Sequence, residues 1–239
     1  IQHCGALIDL HTGSFDRTNL PQLRADLSNQ AVLDLTHGFG ATTVLHSVGA
    51  VGTLRRSAAE HGIPAVTIEA GGPIRLQEDA ILHSVKSINT LMNHLGMVDR
   101  RRSWGAREPV YYESRWVRAD SGGILQSEVK LGERVDRDEL LGTVVNPITN
   151  VRTSIVSPFP GRVLGMAYDQ VVMPGYAAYH IGISAPVEEL PIDESQAPGG
   201  MPPKQNGGET PLDFLTADDA DTEQQPTAES LENDPEHDE

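Results

Sequence analysis

One cysteine, Cys4, stands in a chain of 239 residues, so no internal disulfide can form, and the pattern fits a reducing compartment. Aromatic residues are scarce at 5%, and the hydrophobic share is a modest 38%. The length still suffices for one or two domains with a real core. Long apolar runs are missing, and none approaches membrane-spanning length, which argues against a membrane partner. Residues 1–187 balance acids and bases, and no basic patch argues for nucleic acid. No signal peptide is visible, and a cytoplasmic location is expected. The chain begins Ile1-Gln2-His3-Cys4, without methionine, and meets its first strand pattern within a few residues. The expectation is that Ile1 lies inside a domain.

The net charge of −16 is unevenly spread. Residues 188–239 hold 16 acids against Lys204 alone, whereas residues 1–187 hold 18 acids against 17 bases. The folded part is near neutral. The last segment, rich in Pro, Gly, Asp, Glu, Gln and Thr, is expected to be an acidic disordered tail.

Residues 1–108 alternate apolar strands with helical patterns. Strands are expected at Gly5–Leu10, Thr43–His46 and Ala65–Ile68, and helices in part of Leu23–Leu35, at Leu54–His61 and at Gln77–Leu95. The last carries Ile81, Val85, Ile88, Leu91, Met92 and Leu95 near a 3.6-residue period and ends at Gly96. Strands alternating with helices favour a layered α/β sheet. Residues 109–187 have short strands, frequent turns and a faint internal repeat, in which Gly123-Ile124-Leu125 and Gly161-Arg162-Val163-Leu164 open similar halves. This predicts a small all-β unit with pseudo-twofold symmetry, of the barrel-sandwich kind. It is similar to the biotinyl/lipoyl carriers, but its central hairpin, Val145 to Asn150, lacks their lysine, which removes a carrier role.

Two strand ends carry the chemistry. Gly5-Ala6-Leu7-Ile8-Asp9-Leu10-His11-Thr12-Gly13 is a strand that delivers a histidine to the loop beyond it, with Asp9 two residues earlier on the same side. Ala65-Val66-Thr67-Ile68 ends in Glu69-Ala70-Gly71-Gly72, and its carboxylate is costly to bury unless paired or working. In open α/β sheets, ligands bind at the carboxyl ends of strands. The plain alternatives are a satisfied buried histidine, and a glutamate paired with Arg55, Arg56 or Arg75. The loop from Ser14 to Arg24 is dense in polar groups; its ordinary reading is a capped helix start, with Pro21 in the first turn.

Asp9-Leu10-His11-Thr12-Gly13-Ser14, Arg17-Thr18-Asn19-Leu20-Pro21-Gln22 and the run from Gly62 to Gly72 together resemble the succinylglutamate desuccinylase/aspartoacylase family of zinc carboxypeptidase-like hydrolases. The resemblance covers residues 1–187. It implies a layered α/β domain, incomplete at its N-terminus, followed by the small β-domain and the tail. It implies Zn2+ as cofactor, His11 as the downstream zinc ligand with Asp9 orienting it, and Glu69 as the general acid/base. It also implies an oxyanion- or substrate-binding arginine, favouring Arg56 over Arg55, with Arg17 and Asn19 as substrate-binding loop residues. The family's other two ligands come from an upstream His-x-x-Glu, and its carboxylate-binding Asn-Arg pair is also upstream; neither occurs in these residues. The implied activity is hydrolysis of an N-acyl amino acid or related small amide. A carboxypeptidase-type peptidase and a degenerate, non-catalytic scaffold are the alternatives. A homo-oligomer is allowed, not indicated.

Overall fold

The computed structural model describes residues 3–98, 105, 108–168 and 170–183. The expected acidic tail at 188–239 lies outside the described residues.

In the first part of the chain, strands β1 (Leu7–His11), β2 (Arg17–Ala25), β3 (Thr43–His46) and β4 (Ala65–Gly71) alternate with helices α1 (Gln30–His37), α2 (Leu54–Glu60) and α3 (Glu78–His94). Each helix has a local reason to start. The Asn29 side chain accepts from Ala31 and Val32 N–H, and Thr53 Oγ1 accepts from Arg56 N–H. Glu78 and Asp79 place negative charge in the first turn of α3.

The expected helix within Leu23–Leu35 is corrected. Residues 23–25 finish β2, and α1 begins only at Gln30. Buried Leu23 and Ala25 alternate with Gln22 and Arg24, a strand period, and Asp26 to Asn29 form the turn into the helix. Pro21 sits not in a first helical turn but where the β2–β4 ladder shifts register, between Asn19 and Gln22. A bulge tolerates the missing N–H.

Strands β1 and β4 are parallel, while β2 lies antiparallel to β4 and parallel to β3. One face of this sheet carries a core of Leu23, Val32, Leu35, Phe39, Val44, Val66, Ile68 and Leu91 under α1 and α3. The apolar stripe of α3 divides. Leu91 is buried, whereas Ile81 and Val85 line an open groove of about 260 Å3 with Leu10, Ile68 and Leu76.

The later strands are β5 (Val110–Tyr111), β6 (Ser114–Arg118), β7 (Gly123–Ser127), β8 (Arg134–Val135), β9 (Leu140–Val145), β10 (Arg152–Val156), β11 (Gly161–Ala167), β12 (Val171–Val172) and β13 (Ala177–Ile183). Their pairing repeats with a shift of four strands. β7 pairs β9 as β11 pairs β13, β7 pairs β12 as β11 pairs β8, and β10 pairs β9 as β6 pairs β13. The repeat in the sequence thus has a structural counterpart. Leu125, Leu141, Val144, Val163, Tyr179 and Ile181 form the shared core.

The two parts share hydrogen bonds. β11 pairs antiparallel with the start of β2, joining both into one nine-stranded sheet. Leu164 closes the seam against Leu45, Tyr111 and Leu20. Truncating Leu164 to alanine is expected to lower stability by about 2–5 kcal/mol. Because the sheet is continuous, urea unfolding followed by far-UV and near-UV signals should shift as one transition. Two separated transitions, with only one moved, would contradict the shared sheet.

Candidate active site

His11 is the last residue of β1 and lies in register with Glu69 on the neighbouring parallel strand β4. Paired residues on adjacent strands leave the sheet on the same side, and the strands are about 4.8 Å apart. The structure therefore brings the two candidate residues together. Asp9 lies on that face as well, and its Oδ2 is 3.0 Å from His11 Nε2. The carboxylate of Asp9 thus lies beside the edge of the imidazole that carries Nε2.

Glu69 is held on both oxygens. Its Oε1 lies 2.7 Å from Arg24 Nε, and its Oε2 accepts from Asn19 Nδ2 at 2.5 Å. Both ion-pair partners are largely buried, with side chains 18% and 14% exposed. The cation beside the glutamate is thus Arg24, not Arg55, Arg56 or Arg75. Arg55 is buried and donates to the Ser47 carbonyl at 2.7 Å and to Ser47 Oγ at 3.2 Å. It clamps the loop before α2, where substrate contact was expected. Arg56 donates to Glu60 at 3.0 Å and to the Gly49 carbonyl at 3.0 Å.

Asn19, expected as a substrate contact, spends its amide on Glu69. Arg17 lies with its guanidinium carbon 4.9 Å from both the Trp116 and Tyr176 rings, and it donates to the Ala177 carbonyl and Ser14 Oγ. Such aromatic flanking holds the guanidinium flat and fixed. Among the tyrosines, Tyr168 reaches this region. Its hydroxyl accepts from Gln77 Nε2 at 2.9 Å, and a Cβ on Gly72 would collide with that hydroxyl. Gly72 is required here for close approach.

Two residues of the site were not anticipated, Arg24 and Gln22. Gln22 stands in register with Glu69 on β2 and is fully buried, and neither of its amide atoms has a hydrogen-bond partner among the described residues. A signal existed in the alternation of Gln22 and Arg24 with Leu23 and Ala25, which the helical reading of this stretch concealed.

Among the described residues, no group of three or more His, Cys, Asp or Glu side chains is arranged to hold a metal ion. Asp9 is engaged by His11, and Glu69 by Arg24 and Asn19. These residues supply one free imidazole edge and do not by themselves fit Zn2+, which takes at least three protein ligands.

His180, on β13, stacks on Trp116 with ring centroids 4.6 Å apart, and its Nε2 meets Ser114 Oγ at 2.8 Å. Burial lowers its pKa from 6.5 to about 3, with smaller contributions from Arg24 and Arg17. The folded state holds this ring neutral, while the unfolded chain protonates it below about pH 6.5. Stability from this group is therefore complete above pH 6.5 and is lost as pH falls towards 3. Urea unfolding at pH 7 and pH 4 should show a smaller acid loss in His180→Phe than in the parent chain. An equal loss in both would contradict this.

The model of the succinylglutamate desuccinylase/aspartoacylase catalytic domain matches residues 1–95. No curated protein sequence matches the chain. Among solved structures, the apo ectoine utilization protein EutE (DoeB) from Ruegeria pomeroyi superposes with a TM-score of 0.67 at 17% identity, covering 74% of this chain and 60% of that one. A succinylglutamate desuccinylase from Silicibacter sp. TM1040 gives 0.66 at 18% identity, covering 75% and 58%. A succinylglutamate desuccinylase/aspartoacylase from Rhodobacter sphaeroides gives 0.63 at 18%, covering 74% and 58%. At these identities the likeness establishes the mixed α/β fold, and the chain spans 58–60% of the length of these relatives. Asp9, His11 and Glu69 all lie inside the segment, residues 1–95, that is similar to the succinylglutamate desuccinylase/aspartoacylase catalytic domain.

Proposed function

We propose that the complete protein containing this chain hydrolyses the amide bond of an N-acyl amino acid or a related small N-acyl amine. The observation that carries this reading is the register of His11, the last residue of β1, with Glu69 in the neighbouring strand β4, inside the segment similar to a succinylglutamate desuccinylase/aspartoacylase catalytic domain. Glu69 takes a proton from water as the water oxygen adds to the amide carbonyl. The tetrahedral intermediate then collapses, the C–N bond breaks, and Glu69 returns the proton to the leaving nitrogen. A carboxylate and a free amine result. Glu69 has roughly four lone-pair sites, so its hydrogen bond from Asn19 and its ion pair with Arg24 leave acceptor capacity for the water. Arg24, paired with Glu69, is the cation assigned here to the oxyanion that develops, with Arg56 on α2 as the alternative suggested by the resemblance.

The Zn2+ expected from the family resemblance belongs, in this reading, to a complete site with ligands beyond His11. In this reading the later segment, expected as a barrel-sandwich-like second domain, restricts the cleft to small substrates rather than peptides; its Tyr168 lies against Gly72, beyond Glu69 in the chain.

The test is Glu69→Gln in the full-length protein against a panel of N-acyl amino acids. Loss of the base should lower kcat at least about 100-fold, the smallest effect expected of a general base. Near-parental turnover would overturn the assignment. Faster hydrolysis of C-terminal peptides than of N-acyl amino acids would favour the peptidase reading, and inactivity of the parent on both panels the scaffold reading.

A further inference from the structure

We infer that Asn19 is a positioning residue for Glu69, and that Gly165 on β11 is the gap that allows Asn19 to serve. This rests on the reading of Glu69 as the base. Asn19 is buried in β2, where it stands opposite Gly71 of β4 on one side and Gly165 of β11 on the other. Its Nδ2 donates to Glu69 Oε2, so its Oδ1 turns the other way, towards β11. A Cβ on residue 165 would stand 2.5 Å from that Oδ1 and 3.4 Å from the His180 Cβ. Neither neighbour gives way easily. Asn19 is held by its bond to Glu69, and His180 is fully buried against Trp116.

Any side chain at 165 therefore pushes the Asn19 amide off the carboxylate. The orientation of Glu69 is set from two sides, by Arg24 on Oε1 and by Asn19 on Oε2. The second restraint depends on a residue outside the matched catalytic segment 1–95. The later strands thus tune the base, in addition to walling the cleft.

The experiment uses the 239-residue chain and its side-chain amide NMR signals. In the parent, the Asn19 Nδ2 protons should exchange with solvent slowly. In Gly165→Ala they should exchange at least about tenfold faster, the factor carried by a hydrogen bond to a charged group. Glu69→Gln, which removes the charge but keeps the shape, should accelerate exchange as well. Parental exchange in both variants overturns the proposal. If Gly165→Ala does not fold, Glu69→Gln alone decides, by the same criterion.

In the full-length protein, Asn19→Ala should lower kcat with little change in KM for an N-acetyl amino acid. Gly165→Ala should do the same, and the double variant should be no worse than Asn19→Ala, because the two changes act through one contact. Additive losses, or a rise in KM without a fall in kcat, would overturn the proposal. The amide-exchange result reports on Asn19 whether or not Glu69 is the base. A positive exchange result with an active Glu69→Gln would sink the functional reading and leave the contact standing.

Discussion

The arrangement of this site depends on the satisfaction of one partly buried carboxylate. Glu69 lies in β4, two residues before its end, with its side chain 14% exposed. An isolated charge there would cost several kcal/mol. Arg24 and Asn19 offset that cost from β2, one on each oxygen. Their spacing along β2 spans the bulge at Asn19–Gln22, so the irregular strand is what allows both to reach one side chain. Pro21, unable to donate to a regular ladder, sits inside that irregularity.

From this pair the organisation extends in two directions. Towards the sheet edge, β1 sets His11 in register with Glu69, and Asp9 holds the ring's Nε2. Towards the later strands, β11 continues the sheet from β2, and Gly165, His180 and Trp116 pack behind Asn19. The first segment and the all-β segment are thus joined by a hydrogen-bonded ladder and an aliphatic seam, with polar residues of the site on both sides of it.

Much of this was legible in the sequence. The strands around His11 and Glu69 and helices α2 and α3 follow from period and caps. The Asp-x-His motif points to the end of β1, whereas β4 runs past the expected Ile68 to Gly71, so that Glu69 lies inside its strand. The four-strand repeat follows from similar glycine and valine patterns. What escaped was β2. Its polar stretch from Arg17 to Gln22 carries Asn19 and Pro21 in an order that mimics a capped helix, and tertiary pairing on both sides overrode that local signal. With β2 misread, Arg24 and Gln22 could not be placed beside Glu69, and the choice of arginine fell on Arg55 and Arg56. Those two are near in sequence, but they serve the loop before α2. Ion-pair partners across strands are set by register, which no local pattern encodes.

The central claim, that Glu69 is held in place by its ion pair with Arg24, is tested most directly by a double-mutant cycle in urea unfolding of the chain at pH 7. Arg24→Met and Glu69→Gln should each destabilise by about 3–5 kcal/mol, because each strands a partly buried partner. The double variant should recover most of one of those losses. Strictly additive effects, or single losses below about 0.5 kcal/mol, would contradict the account and leave the carboxylate as an ordinary surface charge.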